Sequence, residues 1–241
     1  MNYFISALQF LTILKIKNNI EEKYLPSSLI FFPLVGLIIG FLASILNLSL
    51  SYLFTSLFSD TLTIFFIIFF TGGIHIDGVA DTFDGIFGGK NKEEILKIMR
   101  DKNIGTFGVI SVIFVILLKI FLLNSLDKTL KFKSFLLFPL ISRWAIVFSI
   151  YFFPYGRESG KGEIFFKNIN LKIFSLSTIL TFGLIFFIDY NFISLFLFSI
   201  VFTFLLCKFF IKKIDGLTGD TLGAINEFNE VIELLLINLL K

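Results

Sequence analysis

An intrachain disulfide is excluded at once, because the chain has a single cysteine, Cys207. It sits in an apolar run beside Lys208, where a packed or lipid-facing thiol is expected. Charge is scarce too. Lys, Arg, Asp and Glu make up 16% of the residues, against about 25% in a soluble domain. The net charge of +3 gives little reason to expect an anionic macromolecule, and no nucleic-acid partner is inferred. No basic region precedes the apolar stretch Phe4 to Leu14, and Lys15 and Lys17 follow it, so a cleavable signal peptide is not expected. That stretch is also too short to span a membrane. It reads as a short interfacial helix, or as a cap on a helix bundle.

What the chain has instead is apolar surface. Hydrophobic residues make up 56% of it. One water-soluble core cannot hide so much, so a lipid bilayer must cover the rest. A spanning helix needs about 20 mainly apolar residues. Candidate spans fall at 29–54, 57–74, 105–126, 134–153, 172–189, 191–211 and 222–240. The expectation is an all-α, polytopic helical bundle of about seven spans, forming one domain over 1–241. The last span is the weakest, because it contains Glu227, Glu230 and Glu233.

Lysine and arginine alternate between the connections. They are dense before the first span and at 75–104, 154–171 and 212–221, and absent from the first and fifth connections. The positive-inside rule makes the dense segments cytoplasmic. Lys128, Lys131 and Lys133 disagree with this pattern.

The predicted cytoplasmic connections also hold the unusual motifs. The first runs T-G-G-I-H-I-D-G-V-A-D-T-F-D-G-I-F-G-G, from Thr71 to Gly89. Asp77, Asp81 and Asp84 are spaced i, i+4, i+7, which places them on one helix face. Three carboxylates so close repel one another unless a cation compensates. Mg²⁺ suits them, since it takes one or two carboxylates and completes its shell with water and substrate phosphates. A solvated amphipathic helix with incidental acids is the plainer alternative. Against it, these acids end a membrane span, where ionisable groups are costly. His75 is placed to hydrogen-bond a carboxylate, a phosphate or a hydroxyl, or to serve a purely structural bond.

Other polar groups stand out. Arg100 and Lys102, in M-R-D-K-N-I-G-T-F-G, suit phosphate oxygens, although topology alone explains a basic loop. Arg143 lies mid-span, roughly 15 Å deep at 1.5 Å per residue. It needs a partner there: Glu227, Glu230 or a substrate phosphate. Lys119 lies nearer a span end and is expected to snorkel. Asp220 either caps the last helix or completes a metal site, with Asn226, Glu227 and Glu230 at helical spacing beside it. F-F-P-Y-G-R-E-S-G-K-G, from Phe152 to Gly162, carries Arg157 and Lys161 and reads as a ligand-contacting loop or an interfacial turn.

Taken together, these segments resemble the adenosylcobinamide-GDP ribazoletransferase (cobalamin synthase) family. The matching blocks are A-L-Q-F-L-T at 7–12, the acidic segment at 72–89, I-M-R-D-K-N-I-G-T-F-G at 98–108, S-R-W-A at 142–145, F-F-P-Y-G-R-E at 152–158 and G-L-T-G-D-T-L-G-A-I-N-E at 216–227. One position departs from the pattern: Asp215 stands where a small residue, often glycine, is expected. The resemblance implies a Mg²⁺-dependent enzyme of the bacterial inner membrane with its site toward the cytoplasm. It joins adenosylcobinamide-GDP to α-ribazole, or its 5′-phosphate, and releases GMP late in cobalamin synthesis. On that reading His75, Asp77, Asp81 and Asp84 are the candidate catalytic residues. Asp77, Asp81, Asp84, Asp220 and Glu227 would hold metal. Arg100, Asp101, Arg143, Arg157 and Asn226 would contact substrate and phosphate. A homo-oligomer is compatible with the sequence.

Two rivals share some features. CDP-alcohol phosphotransferases also use membrane helices and aspartates, but Asp77-Gly78 is followed by Val79-Ala80-Asp81, without the Ala-Arg and spaced aspartates of their signature. An ion-coupled transporter would use the intramembrane acids, yet the motifs cluster on one face and no inverted repeat is visible.

Overall fold

The computed structural model describes residues 2–16, 21–157, 160 and 162–240. Lys17, Glu158 and Lys161, named above, lie outside them. Twelve α-helices are described: α1 (Asn2–Leu11), α2 (Leu25–Ser28), α3 (Phe32–Leu50), α4 (Ser56–Phe70), α5 (Ile74–Gly88), α6 (Lys92–Ile98), α7 (Thr106–Asn124), α8 (Lys128–Phe152), α9 (Glu163–Asn168), α10 (Leu171–Asp189), α11 (Ile193–Ile214) and α12 (Gly219–Leu240). There is no strand among the described residues, only a bridge between Tyr155 and Leu217.

The all-α membrane architecture is as expected, while the count of about seven spans is not confirmed. By length and apolar composition four stretches can cross a membrane: Glu22–Leu50, Thr106–Asn124, Lys128–Phe152 and Leu171–Ile214. A fifth is counted if α4 and α5 form one broken span. Two features separate these counts from seven. Leu171–Ile214 is 44 residues, about twice a span's need, and contains both α10 and α11. Asp189 divides them with an extended backbone (φ −172°, ψ 116°), its carboxylate accepting the Asn191 N–H at 3.0 Å. The other feature is α12, which carries too many acids to qualify as apolar.

At the centre of the bundle, α8 is buried along nearly its whole length from Ser134 to Ile150. Asp127 caps it, accepting the N–H groups of Thr129 and Leu130 at 2.8 and 3.0 Å. Against α8 lies α3, and glycines set the distance. A Cβ at Gly36 would stand 2.1 Å from the Pro139 carbonyl oxygen, and one at Gly40 would stand 2.0 Å from that of Phe135. This is small-xxx-small packing of membrane helices.

Between α4 and α5 the chain bends by 88°. Gly72 and Gly73 make the bend with φ of 64° and 69°, a region closed to most residues. After it, α5 packs across α12. A Cβ at Gly78 would meet the Asp220 carbonyl oxygen at 2.6 Å. At the far side of the same end, the loop before α9 is tied to the loop before α12. Gly156 N–H donates to Leu217 O at 2.8 Å, and Leu217 N–H donates to Pro154 O at 2.9 Å.

The lysines that broke the charge pattern have structural partners. Lys131 is buried and donates to Asp60 and Ser56, both at 2.7 Å, while Lys133 donates to Asp189 at 2.7 Å. Asp215, the departure noted above, has φ 58° and is the one positive-φ residue other than glycine among those described. A glycine would fit there without strain.

Candidate active site

The α5–α12 crossing places the N-terminal turns of both helices at one cavity of about 360 Å³. His75 and Asp77 enter it from α5, and Asp220 from α12. Tyr155 and Arg157 enter from the tied loop. Arg157 donates to Asp220 at 2.6 Å. Asp81, one turn below Asp77, is half-buried and within electrostatic reach of Asp220, Asp77 and Arg157. Burial pushes the Tyr155 phenol above its ordinary pKa, with Arg157 pulling the other way.

Tyr155 and Arg157 also wall a second cavity of about 630 Å³, with Lys92, Lys97 and Arg100 on its opposite side. It is cationic, and Glu93 and Asp215 are its acids. Lys92 reaches Asp215 at 3.2 Å. Acceptors and cations therefore sit on either side of one Tyr-x-Arg wall.

Several expected site residues have other partners. Asp84 faces the start of α7, where its carboxylate accepts the N–H groups of Gly105 at 2.6 Å and Gly108 at 2.7 Å. It caps that helix from a distance and fixes α7 against α5. A Cβ at Gly105 or Gly108 would collide with it at 2.5 or 2.3 Å. Asp101 is exposed and closes its own turn, accepting the backbone and side-chain N–H groups of Asn103. Those bonds hold its carboxyl below the usual range.

Arg143, Glu227 and Asn226 belong to a buried network behind the cavity. Arg143 donates to Glu230. Lys119 donates to both Glu227 and Glu230. Asn226 Nδ2 donates to Glu230 at 3.2 Å. The second Arg143 amine lies 3.5 Å from His75 Nδ1, linking the network to the cavity wall. Two cations and two carboxylates balance, so these acids can sit inside α12 at low cost. The partner expected for Arg143 was a glutamate or a phosphate, and Glu230 occupies its guanidinium. Lys119 does not snorkel: its side chain is only 4% exposed. Its distance from the span end was legible, but the side of α7 it occupies was not. Lys92 and Lys97 were likewise read only as part of the basic connection at 75–104, and Tyr155 only as part of the 152–162 loop.

Among the described residues no three His, Cys, Asp or Glu side chains form a ready-made cation cage. Mg²⁺ does not require one, since one or two carboxylates suffice when phosphate supplies the other oxygens. Asp77 and Asp220, opening on one cavity with Asp81 beside them, are a hard-oxygen donor set of that kind.

A profile of the cobalamin-5-phosphate synthase family matches residues 3–238. The adenosylcobinamide-GDP ribazoletransferase of Alkaliphilus metalliredigens is 39% identical over 100% of this chain and 96% of its own length. Proteins of the same name from Caldanaerobacter subterraneus and Clostridium acetobutylicum are each 37% identical, over 98% and 96% of this chain and 97% and 93% of their own lengths. No solved structure matches the chain. With matches along nearly the full length of both partners, this chain belongs to the cobalamin-5-phosphate synthase family.

Proposed function

We propose that this membrane protein joins adenosylcobinamide-GDP to α-ribazole or its 5′-phosphate, giving adenosylcobalamin or its 5′-phosphate and GMP. The observation that carries this reading is the shared wall. Tyr155 and Arg157 stand between an acidic cavity and a cationic one. The first suits a hydroxyl nucleophile, the second an anionic diphosphate.

A ribazole hydroxyl attacks the phosphorus that bears cobinamide. The new P–O bond forms as the bond to the bridging oxygen breaks, and GMP departs with that oxygen. Arg157, Arg100, Lys92 and Lys97 neutralise the diphosphate and the leaving group. Asp77, Asp81 and Asp220 would hold Mg²⁺. When bound, that ion adds charge neutralisation at the phosphates. Arginine has donors only, so the Arg143 amine near Nδ1 makes that nitrogen the acceptor. A neutral His75 then carries its proton on Nε2 and donates. The hydroxyl proton therefore falls to a carboxylate, with Asp77 and Asp220 lining the cavity and Asp81 one turn below Asp77. Asp84 and Glu227 act by holding helices in place.

The basic connections at 75–104 and 154–171 support a cytoplasmic orientation for this face, in the inner membrane. The test is metal dependence. Chelation should stop turnover and Mg²⁺ restore it. Asp77→Asn and Asp81→Asn should each lower kcat by about a hundredfold or more with the purified protein still folded by circular dichroism. Full activity in chelator, or in both variants, would overturn this assignment.

A further inference from the structure

The buried network behind the cavity is closed in charge, with Lys119 and Arg143 answering Glu227 and Glu230. A third acid of α12, Glu233, follows one turn beyond Glu230 and takes no part in it. Glu233 is 0% exposed. Neither of its carboxylate oxygens has a hydrogen-bond partner among the described residues. A carboxylate held so far inside an apolar bundle needs a compensating charge.

The polar side chain beside Glu233 is Ser199 of α11. A serine hydroxyl has one hydrogen, and that of Ser199 goes to Asn229 Oδ1 at 2.8 Å. The Asn229 amide has only one orientation that fits, because its Nδ2 donates to the Ile225 carbonyl at 2.8 Å. Thr203, one turn along α11 from Ser199, donates to the same Oδ1 at 3.1 Å. Ser199 therefore turns lone pairs, not a hydrogen, toward Glu233. Oxygen faces oxygen across the α11–α12 interface, an arrangement that repels unless a cation lies between them.

We propose that Glu233 and Ser199 bind a sodium ion between α11 and α12. Glu233 supplies the charge and two oxygens, and Ser199 Oγ supplies a third. Asn229 and Thr203 are positioning residues that hold Ser199 with its lone pairs toward the ion. Charge and size select the occupant. One carboxylate balances one positive charge, whereas a divalent ion would leave an excess charge buried. Ser199 is 0% exposed like Glu233, and so closed a site favours Na⁺ over the larger K⁺. A proton alone would make one carboxyl oxygen a donor and leave the other bare, while a metal ion contacts both. At 1.5 Å per residue, Glu233 lies about 21 Å along α12 from Gly219. The ion is thus remote from the acidic cavity and acts on the packing of α11 against α12.

Thermal unfolding of the detergent-solubilised full chain tests this without turnover. Sodium chloride should raise the unfolding midpoint by about 2–4 °C over potassium or choline chloride at equal ionic strength. Glu233→Gln keeps the shape and removes the charge, and its midpoint should be the same in all three salts. Ser199→Ala removes one ligand oxygen and should need about tenfold more sodium for the same shift. The second readout is chemical. Dicyclohexylcarbodiimide, an apolar reagent for buried carboxyl groups, should label Glu233, read by peptide mass spectrometry. Sodium should slow that labelling about tenfold, and potassium should not. If Glu233→Gln does not fold, Ser199→Ala and the labelling decide the matter. Equal wild-type midpoints in the three salts, or a sodium shift that persists undiminished in either variant, would overturn the site. So would labelling that sodium leaves unchanged, which would assign Glu233 a proton alone.

Discussion

At the scale of single residues, the network of Lys119, Arg143, Glu227 and Glu230 decides whether α12 can enter the bundle. All four side chains are at most 6% exposed. Such a group of ions adds little net stability compared with apolar residues, but removing one member leaves another buried without compensation. Glu230 is bonded by Arg143, Lys119 and Asn226. Glu230→Gln should therefore destabilise the protein by about 3–5 kcal/mol, read as a fall in the thermal unfolding midpoint in detergent. A midpoint unchanged within error would show that the network is not a structural keystone. How much of it was legible follows from helix geometry. Counting residues from a span end gives depth, so Arg143 and a glutamate partner could be paired from sequence. The azimuth of Lys119 could not be obtained that way, because it depends on which neighbour packs against α7. The partners of Asp84 were hidden for a related reason. The i, i+4, i+7 spacing puts it on the face of Asp77 and Asp81, but seven residues carry it about 10 Å along the helix, away from the cavity and to the α7 N–H groups.

At the scale of elements, close helix approach explains much of the architecture. Gly36 and Gly40 let α3 lie on α8 with backbone against backbone. A methyl at Gly36 would stand 2.1 Å from a main-chain oxygen, which no side-chain rotation relieves. Gly36→Ala should cost about 1–3 kcal/mol through overpacking, measured as a lower unfolding midpoint and less monodisperse protein on size exclusion. An unaffected midpoint would mean that the two helices do not approach this closely. The bend at Gly72 and Gly73 was less legible: glycines permit a turn, and hydropathy alone runs α4 into the acidic segment. The same limit applies to the span count. Apolar runs locate α3, α7, α8, α10 and α11, but the inward-facing acids of α12 and the shortness of α4 leave composition unable to number the crossings. The lysines at 128–133 confused the charge pattern because two of them bond Asp60 and Asp189.

At the scale of the whole molecule, folding gathers blocks that are far apart in sequence. Residues 10, 75–77, 155–157 and 219–223 meet at one cavity, and 92–100 meet 155–157 at the next. Long apolar helices with short polar connections put these blocks at one end of the bundle, which is why the alternation of Lys and Arg between connections was enough to suggest a single face. The division into two cavities was not visible, since it depends on the bonds that hold Tyr155 and Arg157 beside Leu217 and Asp220. That division is the central claim about function: nucleophile on one side, activated diphosphate on the other, and a wall that both contact. The most direct measurement follows both products when the purified protein is given adenosylcobinamide-GDP, α-ribazole and Mg²⁺. The account predicts that GMP and adenosylcobalamin appear in equal amounts, and that GMP release stops when α-ribazole is omitted. No GMP with both substrates present, or GMP release that continues undiminished without α-ribazole, would contradict it.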